Sequence, residues 1–480
     1  MGGLARVWLC LAGLVTGVCS TRVRPGAVVL VAAAGIALAL RRRGLARPVG
    51  LVALSFAAGA VAAAVRAPEG QPVAALARTI PSCRVAGRTL EEAGGLGLLA
   101  AVDAAGCRGR PPVADAGVVF VDDLELEPGR RFTAEGWLIP LGDEPFERAR
   151  ARAGAGAAFR AVTGRDEGPL PGLHSFAGRV REGLAAAAAP LGRAGGLLRG
   201  LTIGDTSGID PATEDALRRS GLAHLLAVSG SNVALLLGAV AFALRTVPLV
   251  AKVAACAAAL VLFVAVVGPD ASVLRAAGMG VVALVALATG RRPEPLHALG
   301  LALVAVVALR PGIVFSTGLH LSVAATLGIV LWTGPVSAHL RRLPRAVATP
   351  FAATVAAQAA VTPLLAGVFG TIPFGGLPAN LLALPAVAPA TMLGLLAGAV
   401  SPWSEPAAAA LARAAAPFAA WVLWIGGAFG GPGWAPPVPR ALGAWLAAPV
   451  VVAAAWALVH MWRPPRKLTG DGPLGRREVG

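Results

Sequence analysis

Polar side chains are scarce in the apolar half of this 480-residue sequence, and where they occur they come in short groups. The densest is Ser229-Gly230-Ser231-Asn232, set with His224 inside the apolar run Leu222–Leu244. Hydroxyls and a carboxamide both donate and accept hydrogen bonds, and an imidazole does so and also titrates. In hydrocarbon such a group interrupts a helix, and the freed backbone is tolerated only against protein or a water-filled cavity. The same residues read equally as a small-residue packing face, and His224 alone as a satisfied structural histidine. Arg275 follows Gly268-Pro269-Asp270 at the opening of another apolar helix. Just inside an interface, its guanidinium either snorkels to headgroups or contacts phosphate at a pore mouth. Further along, His320 and Ser322, then Gln358, then Asn380 stand alone in apolar surroundings. Each can bond across helices or line a path; Asn380 facing lipid would be costly, which assigns it to a cavity side. No Cys/His set has metal-ligand spacing and no phosphate-binding Gly-rich loop is present, so neither cofactor nor motor is expected within the sequence.

The elements that hold these residues follow from composition. Hydrophobic residues make up 56% and charged residues 14%, against about 25% charged in soluble domains. The apolar runs are continuous rather than alternating, so they are helices and not barrel strands. Three open the chain, near Val7–Cys19, Ala27–Leu40 and Pro48–Val65. The first has a signal peptide's outline, but two more follow at once and it is read as retained. Nine further segments run from Leu222 to Trp462, giving about twelve spans. Arg41-Arg42-Arg43, Arg245 with Lys252, Arg291-Arg292, Arg341-Arg342 with Arg345, and the tail Arg463, Arg466, Lys467 all fall on one side under this count, the cytoplasmic one. The expectation is a polytopic α-helical protein of a bacterial inner membrane.

The formal net charge of +17 is weak evidence for a nucleic-acid ligand, because most of the excess sits in these membrane-flanking loops. The polar stretch from Pro81 to Pro171 is slightly acidic. Its short β-like runs (Ala116–Val121, Arg131–Ile139) and turn signal Glu127-Pro128-Gly129 predict a small β-domain of about five strands outside the membrane. Its Ala/Arg-rich part, Glu147–Arg160, reads as helical. Cys83 and Cys107 bracket the first part on the predicted oxidising face; a disulfide between them is expected only if the fold brings them together. From Leu184 to Arg199 the sequence reads as an amphipathic interfacial helix.

The motifs are specific. Gly221-Leu222-Ala223-His224-Leu225-Leu226-Ala227-Val228-Ser229-Gly230 resembles the signature that opens the core of the ComEC family of competence proteins. The family commonly has His shortly after the Ser-Gly pair, where this chain has Asn232, which cannot titrate. Ser272-Val273-Leu274-Arg275-Ala276, then Leu321-Ser322-Val323-Ala324-Ala325 (with His320 where the family often has Gln), then Phe369-Gly370 with Ala379-Asn380-Leu381-Leu382 resemble the same family in the same order. The resemblance runs from about Gly200 to Leu384. It implies an OB-like external domain and a channel passing single-stranded DNA inward during natural transformation. The metallo-β-lactamase-like domain of many family members has no counterpart here, since no His-x-His-x-Asp-His stretch occurs.

These readings divide the chain into N-terminal helices (1–66), an OB-like domain (67–173), an interfacial segment (174–220), a channel domain (221–462) and a basic tail (463–480). The DNA-path candidates are His224, Ser229, Gly230, Asn232, Arg275, His320, Ser322, Gln358 and Asn380. Expected partners are single-stranded DNA, membrane lipid, a separate DNA receptor, a cytoplasmic helicase or motor, a separate nuclease, and a second copy of the chain. Broken helices near the bilayer midplane would also suit a secondary transporter of a small solute, though no internal repeat supports that. An enzyme using His224 with Asp205 is the weakest alternative, and the chain is expected to be non-catalytic.

Overall fold

The alternation in Arg131–Ile139 is that of a strand with one dry face, and such strands must close on one another to cover it. In the computed structural model they do. The structure describes residues 71–461 apart from 80, 93–97, 125, 127–128, 143, 153–154, 170, 227, 292–293, 310–312 and 315. The first three apolar segments, Cys10, Cys19 and the basic tail lie outside the described residues. A short helix α1 (Pro72–Ala77) leads into β1 (Ser82–Glu92), β2 (Leu98–Cys107), β3 (Val113–Asp122), β4 (Arg130–Pro140) and β5 (Ala157–Pro169), which close into a barrel of order β1-β2-β3-β5-β4. All neighbours are antiparallel except β3 and β5. Along β4 the inward positions are Phe132, Ala134, Gly136 and Leu138. Phe132, Leu138 and Phe159 are fully buried, each contributing about 2 kcal/mol. Gly87 and Gly136 sit at register shifts where a partner carbonyl leaves no room for a Cβ.

The Ala/Arg-rich stretch expected to be helical is helical only in part. Helix α2 (Pro145–Arg152) ends before β5, and residues from Ala157 are strand. Ala157, Phe159 and Ala161 face the barrel core, so tertiary burial overrides local helix propensity. Arg150 of α2 makes a bidentate pair with Asp122, at 2.9 and 2.5 Å, between the rings of Phe120 and Phe146. Cys83 and Cys107 are directly opposed on β1 and β2 and are joined by a disulfide.

The helical part is an α3 (Leu173–Ala188), α4 (Gly192–Ile203), α5 (Pro211–Arg219), α6 (Gly230–Ala243), α7 (Leu249–Val267), α8 (Ala271–Ala288), α9 (Pro295–Leu309), α10 (Thr317–His339), α11 (Arg345–Leu364), α12 (Gly376–Val400), α13 (Glu405–Phe429) and α14 (Ala441–Met461) series. Among the described residues, six of these are long and apolar enough to cross a membrane: α7, α8, α10, α11 (with the π-turn that extends it), α12 and α13. The chain divides into two compact units, Met1–Val323 with Pro373–Ala435, and Ala324–Ile372 with Pro436–Gly480.

In the first unit α12 and α13 pack as a hairpin through Ala379, Ala383, Ala386, Ala390, Ala419, Val422 and Ile425, with Leu197, Leu201, Leu217, Leu222 and Leu226 laid against them. Small residues at helical spacing let the backbones approach closely. The stretch expected to lie along an interface, Leu184–Arg199, runs at its C-terminal end into a helix buried against protein. Leu197, Leu198, Leu201, Thr202 and Ile203 of α4 are all buried, because α12 and α13 cover that helix. Asp210 caps α5, its side chain accepting from the Thr213 amide at 2.9 Å, with Pro211 following as the first helical residue.

In the second unit, Gly328 packs against Ala356 and Ala360, and α11 carries Pro350 and Pro363. A π-turn (Leu365–Phe369) ends at Gly370, whose carbonyl accepts from the Val438 amide at 2.8 Å. The repeated Pro and Gly between Thr354 and Pro385 predict a discontinuous segment; the irregular backbone lies at 365–375, around Phe369–Pro373, and from Gly376 helix α12 is continuous through Pro385 and Pro389.

Candidate functional site

The run Leu222–Leu244 is not one helix interrupted at Ser229. Helix α5 ends in a left-handed turn: the Gly221 amide donates to Arg218 O at 3.1 Å, and the Leu222 amide to Leu217 O at 2.8 Å. This 6→1 and 5→2 pairing needs φ > 0 at the middle residue, and Gly221 has φ 72°. A Cβ there would also stand 2.8 Å from the Gly376 Cα. The Gly-Leu opening of the motif is thus a helix cap pressed against the start of α12. A 3₁₀ turn (Ala223–Leu225) follows, and helix α6 begins only at Gly230, with Ser229 as its extended N-cap. The four small polar residues are that helix's entry, not a break within it.

His224 is exposed and folds back on the cap, its Nδ1 3.0 Å from Gly221 O. Asn232 is buried, and its Nδ2 donates to Leu201 O at 2.9 Å. That carbonyl belongs to the last turn of α4, where intrahelical donors run out. Ser229 and Ser231 share a 2.6 Å hydroxyl contact, and Ser272 donates to Val228 O at 2.9 Å. Arg275 lies in the second turn of α8 and is only 5% exposed. Its Nε donates to Ser322 Oγ at 2.9 Å, and its guanidinium comes within 3.5 Å of where a Cβ on Gly230 would sit. Of the two roles offered for Arg275, headgroup snorkelling does not fit so buried a side chain: Arg275 is an internal tie between α8 and α10 beside the N-terminus of α6. A guanidinium and a helix N-terminus side by side concentrate positive potential and donors at one point.

The structure therefore brings Ser229, Gly230, Asn232, Arg275 and Ser322 together. His320 is apart from them, exposed, with Nε2 2.7 Å from Val314 O. Asn380 donates from Nδ2 to Gly376 O of its own helix at 2.7 Å, a local bond that answers the cost of its polarity without a cavity. Gln358 belongs to the second unit and is half-buried there. The Asp205–His224 pairing does not form. Arg199 and Ser207 hold Asp205; burial pulls its carboxyl upward, but the bonds from Ser207 and Arg199 outweigh this and hold it below the usual range. Two polar ties were not legible in the sequence: Leu201 O, since a backbone carbonyl carries no sequence signal, and Arg219, whose Nε donates to Gly430 O at 2.8 Å.

A family model described as Competence protein matches residues 201–464. No curated protein and no solved structure matches the chain. The match takes in the cap at Gly221, the α6 entry, Arg275, Ser322 and Asn380. Since it also covers more than half of the 480 residues, the chain belongs to the competence protein family, the ComEC-type family its motifs resemble.

Proposed function

We propose that this protein is the inner-membrane conduit through which single-stranded DNA enters the cell during natural transformation. Family membership supports the role in competence, and one observation carries the conduit reading. From Gly221 to Ser229 the described chain contains no α-helix. Gly221 touches Gly376 at the start of α12, while Leu395 packs against the cluster that contains Val228. A stretch without α-helix between apolar helices is tolerated only where protein or water satisfies its backbone groups, as beside a polar path. The Arg275–Gly230 junction then supplies donors suited to a phosphate backbone.

In this reading the chain has about twelve spans, including the shorter apolar helices Gly230–Ala243 and Pro295–Leu309. The barrel's strand order supports an OB-like receiving domain outside the membrane. Of the insert's aromatics Phe120, Phe132, Trp137, Phe146 and Phe159, on which bases could stack, only Trp137 and Phe146 are exposed, so capture relies on a separate receptor. The chain catalyses nothing itself; a nuclease and a cytoplasmic motor act from other polypeptides, and copies of the chain associate. The test is to delete the gene in a transformable host and follow labelled donor DNA across the inner membrane. Undiminished entry would sink the reading.

A further inference from the structure

Alternation of about twelve spans assigns the turn between α12 and α13 (401–404) to the cytoplasmic face, opposite the barrel. The contacts around α3 say otherwise. Arg130 of the barrel pairs with Glu182 of α3 at 3.6 Å. One residue earlier, Arg181 donates to Ala265 O and Val266 O, at 3.3 and 3.1 Å, closing the C-terminus of α7. Gly183 lies against Ser401, too close for any side chain. Phe176 and Trp403 are in ring contact at 5.6 Å. One short helix thus touches the barrel, the end of α7 and the α12–α13 turn, which puts all three at one face.

That face carries a particular surface. Trp403 is 74% exposed and Leu173 43%. Arg179, also exposed, stands over the Phe176 ring at 5.5 Å. Leu173, Phe176 and Arg179 recur every three residues, so they share one side of α3. Helices α12 and α13 have 25 residues each, about 37 Å, against about 30 Å of hydrocarbon. Their connecting turn therefore stands at headgroup level. An indole, a phenyl ring and a guanidinium at the end of an apolar hairpin match a layer that is apolar below and phosphate-bearing above.

We propose that Leu173, Phe176, Arg179 and Trp403 form a phospholipid-headgroup anchor on the barrel's side of the membrane, with the α12–α13 turn facing that same side. The anchor fixes the height of the barrel over the bilayer, whatever the protein conducts.

The test replaces Cys10, Cys19 and Cys256 by Ala, keeps the disulfide, and introduces Trp403→Cys. Val162→Cys, on an exposed barrel position, reports the barrel's side, and Leu343→Cys, beside Arg341-Arg342, reports the cytoplasm. With a membrane-impermeant maleimide on intact right-side-out vesicles, Trp403→Cys labels together with Val162→Cys. Labelling only after permeabilisation, as for Leu343→Cys, overturns the proposal. A nitroxide on Trp403→Cys in vesicles of phosphatidylethanolamine and phosphatidylglycerol then reads depth. Relative to the Val162→Cys label, oxygen collision rises and collision with a water-soluble nickel chelate falls several-fold. Equal access to the chelate would mean the patch stands in water. Access to neither relaxant would mean another protein surface covers it, and either result also overturns the proposal. Leu173→Cys repeats both measurements at the other edge of the patch.

Discussion

Replacing Asn232 by Leu keeps the volume but removes the donor to Leu201 O and an acceptor of two long hydroxyl contacts, from Ser229 and Ser231 at 3.5 and 3.4 Å. The donor matters because of where its acceptor lies. Leu201 O sits in the last turn of α4, buried against α12 and α13, and receives the Asn232 Nδ2 at 2.9 Å. A buried carbonyl left without a partner costs about 1–3 kcal/mol, a factor of about 5 to 150 in the folded population. The cost falls on the junction of α4 with α6, so Asn232→Leu lowers the unfolding midpoint in mild detergent as well as DNA entry. Ser229→Ala is the internal comparison. Its hydroxyl meets only Ser231 and Asn232, and its removal shifts the midpoint by less than about 1 kcal/mol. Unfolding of both variants is followed by intrinsic tryptophan fluorescence, and DNA entry is normalised to folded protein. An Asn232→Leu midpoint equal to that of the parent would refute the assignment of Asn232 as the partner of the α4 end.

Three further outcomes follow from the geometry. Replacing Cys83 and Cys107 by Ser opens a loop of 24-residue separation, and the chain-entropy relation makes the loss about 3.5 kcal/mol, read as an earlier urea midpoint for the barrel that reductant no longer changes. Asp166 is held below the usual carboxylate range, chiefly because the Arg130 side chain donates to it. Its contribution is therefore complete at neutral pH and is lost as pH falls from the ordinary aspartate value through the lower folded one; Asp166→Asn flattens that acid limb in a pH series of barrel melts. Gly221→Ala combines a left-handed backbone, about 1–2 kcal/mol, with a Cβ forced onto Gly376, and the expected result is a sharp fall in membrane-inserted protein on immunoblots.

Local chemistry in the sequence was enough for the barrel strands and for the grouping of polar residues near Ser229. Alternating side chains and Gly-containing turns report a strand directly. It was not enough for Ala157–Arg160, where alanines that favour a helix in isolation instead fill the narrow core beside Phe159. The role of Asn232 was hidden because its partner is a backbone carbonyl 31 residues away. Arg275 read as either a headgroup or a phosphate contact, and its tie to Ser322, 47 residues distant, carries no local signal. The Pro- and Gly-rich stretch from Thr354 to Pro385 reads as discontinuous, and the backbone is irregular at 365–375, yet helix α12 keeps its course through Pro385.

The contact between Gly221 and Gly376 also sets a clock. The two glycines are 155 positions apart in the chain, and at ordinary elongation rates of about 5–20 residues per second the second emerges roughly 8–30 s after the first. Throughout that interval the cap of α5 has no α12 to press against, and the stretch beyond it has one wall missing. The segment bearing the family's signature is therefore translated early and enclosed late, so mutations in α12 are expected to act first on how the nascent chain is handled by the insertion machinery.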